Sequence, residues 1–190
     1  MADAARLDFC APGFYPNRVP LLVPHSEFLA PAGLSIRANA VRTDDRLSLR
    51  FEARGATDAI AWPARTDGER RDELWRTTCF EAFVGSVGDG GYHEFNLAPS
   101  GDWATYRFDG YRAGMRDAAP VPKVELGPNH LSAEIDLAAT DLAGRDWQVA
   151  LTAVIEATDG TRSFWALRHA PGAPDFHHRA CFALELPALR

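Results

Sequence analysis

Carboxylates, an amide and aromatic rings are concentrated in one stretch of the chain, between Leu74 and Met115. Three short segments of strand-like composition follow one another there, and they carry Glu81, Glu94 and Asn96 among aromatic residues. Flat rings can cover the apolar faces of a small polar ligand, while carboxylates and amides bind its hydroxyl groups. The composition of this stretch therefore predicts a binding site for a polar small molecule, most readily a sugar or another polyol.

Alternation along each segment predicts which side chains share a face. In the second segment Phe95 and Leu97 are the better core residues, so Glu94 and Asn96 should face away from the core. If the segments 74–84, 91–97 and 103–108 are neighbouring strands, one concave surface can hold the predicted ligand-binding residues Trp75, Glu81, Tyr92, Glu94, Asn96, Trp103 and Arg107. An ordinary solvated sheet with cross-strand Glu–Arg pairs would have a similar composition.

Histidines cluster near the end of the chain, where His169, Asp175, His177 and His178 lie within a short span. Adjacent residues of a strand point to opposite faces, so His177 and His178 could both bind one metal ion only if this segment is a loop. No second carboxylate cluster completes such a site, and no metal site is predicted. If a final strand at 180–186 begins near His177, its parity buries His178 and places His177 at the ligand-binding surface.

Known catalytic motifs are absent from the sequence, which contains no GxSxG, no HExxH and no Walker loop. The glycine-rich run Gly85–Gly91 joins two predicted strands and is interpreted as a hairpin loop. Glu81 and Glu94 could be imagined as the acid and base of a glycosidase. The sequence does not fix the separation of the two carboxyl groups, which hydrolysis would require and binding would not. We therefore predict no catalytic residues and no enzymatic activity.

Two other kinds of binding protein fit the sequence as well. Met115 with His169, His177 or His178 could supply the axial ligands of a haem, since Met/His pairs do so elsewhere. Without a CxxCH motif such a haem would be noncovalent. A protein-interaction module with no small ligand is the third possibility.

The elements that must position these residues are almost all strands. Apolar residues alternate over 34–40 and 47–53, and the polar Arg42–Asp45 between them predicts a hairpin. Alternation resumes along most of the remaining chain, and only 138–144 suggests a helical turn. The pattern predicts an all-β fold, an antiparallel β-sandwich of the jelly-roll type with about ten strands.

The chain as a whole is typical of one globular domain of 190 residues. Residues 1–33 are rich in proline and are expected to form an irregular leader packed on a domain at 34–190. A formal net charge of −6 argues against nucleic-acid binding, which would require clustered Lys and Arg residues. Cys10, Cys79 and Cys181 form no CxxC pair, so neither a zinc knuckle nor a redox dithiol is supported, and all three are interpreted as small buried residues. No cofactor is expected. The sequence has no secretory or membrane-spanning apolar run, and a cytoplasmic location is expected.

The segment from Leu74 to Arg112 resembles DOMON-like domains, which are related to family 9 carbohydrate-binding modules. The resemblance rests on Leu74-Trp75, Glu81, the turn from Asn96 to Pro99, and Trp103. It extends over about 34–186, and Thr77-Thr78 stands where family 9 modules usually have an acidic pair. The resemblance implies a jelly-roll sandwich that binds a sugar or a haem and has no catalytic activity of its own.

Overall fold

Two antiparallel β-sheets make up nearly all of the regular structure in the computed structural model, which describes residues 19–188. The helical elements in that range are 3₁₀ turns at Thr57–Ala59, Leu74–Arg76 and Arg179–Cys181. None of them is long and apolar enough to cross a membrane. The predicted antiparallel β-sandwich is confirmed, with twelve strands in place of about ten. The strands are β1 (Val23–Pro24), β2 (Leu34–Thr43), β3 (Arg46–Gly55), β4 (Cys79–Ser86), β5 (Tyr92–Leu97), β6 (Trp103–Phe108), β7 (Arg116–Asp117), β8 (Lys123–Leu126), β9 (His130–Asp136), β10 (Trp147–Glu156), β11 (Arg162–Ala166) and β12 (Leu184–Leu186).

The smaller sheet has the strand order β2-β3-β9-β8 and begins with a long hairpin. β2 and β3 pair along their full length, and the turn between them is Asp44-Asp45, as the sequence predicted. Asp44 has a positive φ of 53°, a conformation that Asp tolerates better than most residues. Alternate residues of both strands, such as Ile36 and Phe51, are fully buried against the larger sheet.

The larger sheet has eight strands in the order β1-β11-β10-β4-β5-β6-β7, with β12 also paired to β10. β4, β5 and β6 follow one another as a meander. Phe80, Val84 and Phe95 project toward the smaller sheet, and the Phe80 ring stacks on Phe51 with centroids 5.0 Å apart. Each such side chain contributes about 1.5–3 kcal/mol by leaving water, so this layer is the main core.

The outer face of the larger sheet is also covered. Every residue of β4 and β5 is buried, although only alternate residues point toward the smaller sheet. The segment after β11 folds over the outer face, where Phe176 and Phe182 join a second apolar cluster with Phe83 and Tyr92. The two central strands therefore lie between two packed layers, and the outer layer leaves room for a cavity.

Two local predictions are wrong. The segment 74–84 is not one continuous strand, because Glu73 adopts a left-handed conformation with a φ of 61° and leads into the 3₁₀ turn at Leu74–Arg76. β4 begins only at Cys79. The segment 138–144 forms turns and no helix, with the Thr140 amide donating to the carbonyl of Leu137.

The described part of the predicted leader connects the two sheets along one edge. β1 pairs with β11 of the larger sheet, while the Leu22 amide donates to the Ile36 carbonyl of β2 over 2.9 Å. Leu22 itself is buried in the main core. Residues 1–18, which include Cys10, lie outside the described residues, whereas Cys79 and Cys181 are buried free thiols.

Candidate functional site

A cavity of about 360 Å³ lies on the outer face of the larger sheet. Its walls are mainly aromatic, with Trp75 from the 3₁₀ turn before β4, Phe108 from the end of β6 and Phe176 from the segment after β11. Small-molecule pockets typically measure about 300–1,000 Å³, so a compact ligand would fill this one. The other lining residues are Glu81, Phe83, Glu94, Arg112, Met115, Val154, Phe164, Pro174 and His177.

Strand pairing brings two carboxyl groups and an amide to the floor of the cavity. Glu81 of β4 is paired with Asn96 of β5, and Phe83 with Glu94, so all four side chains project from the outer face. Asn96 Nδ2 donates to Glu94 Oε1 over 2.7 Å. The Thr152 hydroxyl of β10 donates to Glu81 Oε2 over 3.1 Å. These hydrogen bonds fix the orientation of both carboxyl groups.

Burial changes the protonation of both floor carboxyls. Desolvation, with repulsion from Glu94, raises the pKa of Glu81 to about 8. Desolvation also raises the pKa of Glu94 to about 7, against the opposing effects of the Asn96 hydrogen bond and the charge of Arg112. Near neutral pH the Glu81 carboxyl keeps its proton, so it can both donate and accept hydrogen bonds.

His177 lies between the aromatic wall and the floor. Its Nδ1 is 2.7 Å from the Tyr92 hydroxyl, and its Nε2 is 3.9 Å from Glu94 Oε2. The backbone N–H of Arg112 donates to the Tyr92 oxygen, which directs the hydroxyl proton toward His177 Nδ1. Burial, together with the charge of Arg112, lowers the pKa of His177 to about 4. The ring is therefore neutral and carries its proton on Nε2, toward Glu94.

Arg112 forms the charged part of the rim. Its Nη2 donates to Asp175 Oδ1 over 2.9 Å, and the Tyr111 hydroxyl donates to the other oxygen of the same carboxylate. Partial burial is the largest single effect and would lower the pKa of Arg112, but the hydrogen bond and charge of Asp175, together with Tyr111, outweigh it and the pKa is raised. The guanidinium is thus held in place, and its charge is balanced by Asp175.

Trp75 is held at the cavity edge by a neighbouring polar network. Its ring packs edge-on against Tyr106, with centroids 6.2 Å apart. The Tyr106 hydroxyl donates to Asp72 over 2.6 Å, and Arg70 donates to the same oxygen over 3.0 Å. Trp75 is half-buried, so part of its indole remains available to a ligand in the cavity.

The structure separates two of the predicted site residues from the rest. In β6 the register pairs Asn96 with Ala104, so Trp103 and Arg107 project from the opposite face and their predicted place on the ligand-binding surface is wrong. Trp103 packs against the main core, and Arg107 donates to Asp141 through Nε and Nη2. The other six predicted residues lie together, with Trp75, Glu81, Glu94 and His177 lining the cavity and Tyr92 and Asn96 hydrogen-bonded to them.

The candidate haem ligands do not all lie together. Met115 and His177 line the same cavity. His169 lies elsewhere, with its Nε2 2.7 Å from the Val23 carbonyl oxygen. In residues 19–188 no group of three or more His, Cys, Asp or Glu side chains is arranged to hold a metal ion.

The predicted burial of His178 is wrong. The segment before Leu184 is a 3₁₀ turn at Arg179–Cys181 in place of a strand, so strand parity does not apply to it. His178 is exposed, and its Nδ1 accepts a hydrogen bond from the Ala180 amide at the start of this turn. His177 faces the cavity instead.

We expect His177→Ala to destabilise the fold and His178→Ala to leave it nearly unchanged. Loss of the imidazole removes the partner of the buried Tyr92 hydroxyl, which should cost about 1–3 kcal/mol. His178 is exposed and caps only a three-residue 3₁₀ turn, so its loss should cost about 0.5 kcal/mol, the lower end of the range for a helix cap. Urea unfolding of both variants measures the difference, and equal loss of stability would contradict this assignment.

The sequence matches no family model and no curated protein. Solved structures with similar folds exist, and one is a protein from Bacteroides uniformis to which carbohydrate binding has been ascribed. The two share 16% identity over 85% of this chain and 82% of that chain, with a TM-score of 0.58. At this identity the similarity is one of fold.

Two further similar structures are family 9 carbohydrate-binding modules from Caldicellulosiruptor kristjanssonii. The complex with glucose has 13% identity, covers 90% of this chain and 84% of that chain, and gives a TM-score of 0.49. The complex with cellotriose has 15% identity, covers 81% and 75%, and gives a TM-score of 0.44.

Proposed function

We propose that this chain is a non-catalytic binding protein whose cavity on the larger sheet takes a carbohydrate. The observation that carries the proposal is a floor made by Glu81 and Glu94 within walls made by Trp75, Phe108 and Phe176. Sugar rings present apolar C–H faces and polar hydroxyl edges, so aromatic walls and a hydrogen-bonding floor match both. The role ascribed to the Bacteroides uniformis protein agrees with this proposal.

The polar groups at the floor and rim suit hydroxyl groups, which donate and accept together. The neutral Glu81 carboxyl offers both functions, and Glu94 Oε2 offers an acceptor. His177 Nε2–H and the Arg112 guanidinium are donors. A compact sugar could therefore use both donors and acceptors within one cavity.

The placement of the two carboxyls favours binding over glycoside hydrolysis. Hydrolytic carboxyl groups flank the scissile bond, one acting on the leaving oxygen and the other on the opposite side of the sugar. Glu81 and Glu94 both project from the same face of paired strands, so both approach a ligand from the floor. A ligand resting on this floor is hydrogen-bonded on one side and stacked on the others.

Trp75→Ala should weaken sugar binding about fivefold, because ring stacking contributes about 1 kcal/mol beyond area burial. Trp103→Phe is the matched control, since Trp103 lies on the opposite face of the sheet and its replacement keeps an aromatic ring in the core. Calorimetric titration with a panel of mono- and disaccharides, beginning with glucose, measures both affinities. Absence of binding to every sugar on the panel and on a glycan array would overturn the proposal.

Noncovalent haem binding is the second candidate, and Met115 and His177 lining one cavity favour it. Against it, His177 Nδ1 accepts from Tyr92 and its Nε2 faces Glu94, so both ring nitrogens have polar neighbours. Protein purified from haem-replete cells should show a Soret band if this candidate is right. A colourless preparation without spectral change on added haemin would exclude it.

A further inference from the structure

The floor carboxyls lack a cationic partner in the described part of the chain. Glu81 is 3% exposed and Glu94 is 5% exposed, yet neither is within ion-pair distance of an Arg or Lys side chain there. The nearest ring nitrogen is His177 Nε2, 3.9 Å from Glu94, and that imidazole is neutral. Ionising two buried carboxyl groups without a counter-charge is costly, and ionised groups in such places are normally paired.

One oxygen of each carboxyl remains for a ligand. Glu81 Oε2 accepts from Thr152 and Glu94 Oε1 accepts from Asn96, whereas Glu81 Oε1 makes no hydrogen bond with a described residue. Glu94 Oε2 has only the distant His177 contact. Both side chains line the cavity, so these oxygens are available to whatever occupies it.

The walls around these oxygens favour positive charge. Trp75, Phe108, Phe164 and Phe176 surround the floor, and aromatic faces attract cations through their quadrupole. Arg112 is the one permanent cation among the lining residues, and its charge is already paired with Asp175. An ammonium group has three donors and could serve both free carboxyl oxygens.

We infer that the occupant of this cavity carries an ammonium group, so that the preferred sugar is an amino sugar with a free amine. This inference rests on the proposed carbohydrate-binding function and narrows its ligand class. The raised pKa values of Glu81 and Glu94 agree with it, because burial with no described Arg or Lys side chain at ion-pair distance disfavours their charged forms. Binding such a ligand would hold the carboxyls ionised and pair them.

The decisive comparison is calorimetric titration with glucosamine, glucose and N-acetylglucosamine at about neutral pH. Glucosamine should bind at least about tenfold more tightly than the other two, because it alone presents a positive charge to the floor. Equal affinities, or tighter binding of glucose, would overturn the inference and leave carbohydrate binding intact. Absence of binding to all three and to other sugars would overturn both.

Variants that remove one carboxylate test whether the floor carboxyls cause the preference for glucosamine over glucose. Glu81→Gln and Glu94→Gln keep the side-chain shape and an acceptor oxygen but cannot ionise, so the ratio of glucosamine to glucose affinity should fall toward one in each. Glu134→Gln removes an exposed carboxylate of the smaller sheet and should keep the ratio of the parent protein. Circular dichroism checks that each variant is folded. A preference that survives in both floor variants would show that the amine binds elsewhere.

Discussion

Replacing Glu94 with alanine is expected to weaken sugar binding at least tenfold. Glu94 lines the cavity and is 5% exposed, with Oε1 bound to Asn96 and Oε2 3.9 Å from His177 Nε2. Removal of a buried hydrogen-bonding partner of this kind costs about 1.5–3 kcal/mol, and each 1.4 kcal/mol corresponds to about a factor of ten in the dissociation constant. Calorimetric titration of the parent and the variant with the same sugar measures the loss.

Two companion variants make this result specific. Glu94→Gln keeps an acceptor for Asn96, so its loss of affinity should be smaller than that of Glu94→Ala when the ligand is neutral. Glu134→Ala, at an exposed position of β9, should leave affinity unchanged. Unchanged affinity in a folded Glu94→Ala protein would remove Glu94 from the binding site.

The free energy of unfolding is expected to decline as the pH rises from about 6.5, above which the lowered pKa of His177 no longer opposes the trend, to about 8. The folded protein holds the Glu81 proton up to a pKa of about 8, whereas the unfolded chain loses it near the ordinary value of 4.5. Between these values unfolding releases a proton, so a higher pH favours the unfolded chain. One unit of pKa difference corresponds to about 1.4 kcal/mol, so the decline should exceed about 1 kcal/mol. Glu81→Gln cannot titrate and should be more stable than the parent at the upper end of this range.

Urea unfolding at several pH values measures this decline. Among the groups around Glu81, Glu94 also has a raised pKa, which acts in the same direction. Burial raises the pKa of the Cys79 thiol well above its usual range, and Asn96 and Thr152 are uncharged. Part of the decline should therefore persist in Glu81→Gln and disappear in the double variant with Glu94→Gln. A steep decline in the double variant would assign the effect to other groups.

Parity within one strand could be read from the sequence, but the pairing between strands could not. The alternation of β5 placed Phe95 in the core and Glu94 on the outer face, and both positions agree with the structure. The same reasoning failed for Trp103, because its face depends on which residue of β5 it lies beside. A shift of one residue in register reverses every side chain of a strand, and short segments rich in aromatic residues do not specify that register.

The cover of the cavity was still less predictable. Phe164 and Phe176 are far from Glu81 in the sequence and reach the cavity through β11 and the irregular segment after it. No periodicity marks such a segment, since its residues follow turn geometry instead of strand alternation. His177 was predicted at the ligand-binding surface and does line the cavity, but the strand that the prediction relied on is absent from this segment.

The position of β10 has a consequence for the order in which this chain can fold. β4, β5 and β6 are consecutive and can form from local contacts, whereas β10 must reach back to β4, as in the pairing of Val154 with Cys79. Such non-local pairing is slow, because the loop must close before the contacts stabilise it. The floor carboxyls come from the early meander, and the wall at Phe164 and Phe176 comes from the segments that arrive last. During refolding, ligand binding should therefore appear later than the β-sheet signal in circular dichroism. The interval between the two would measure how long the last third of the chain takes to dock.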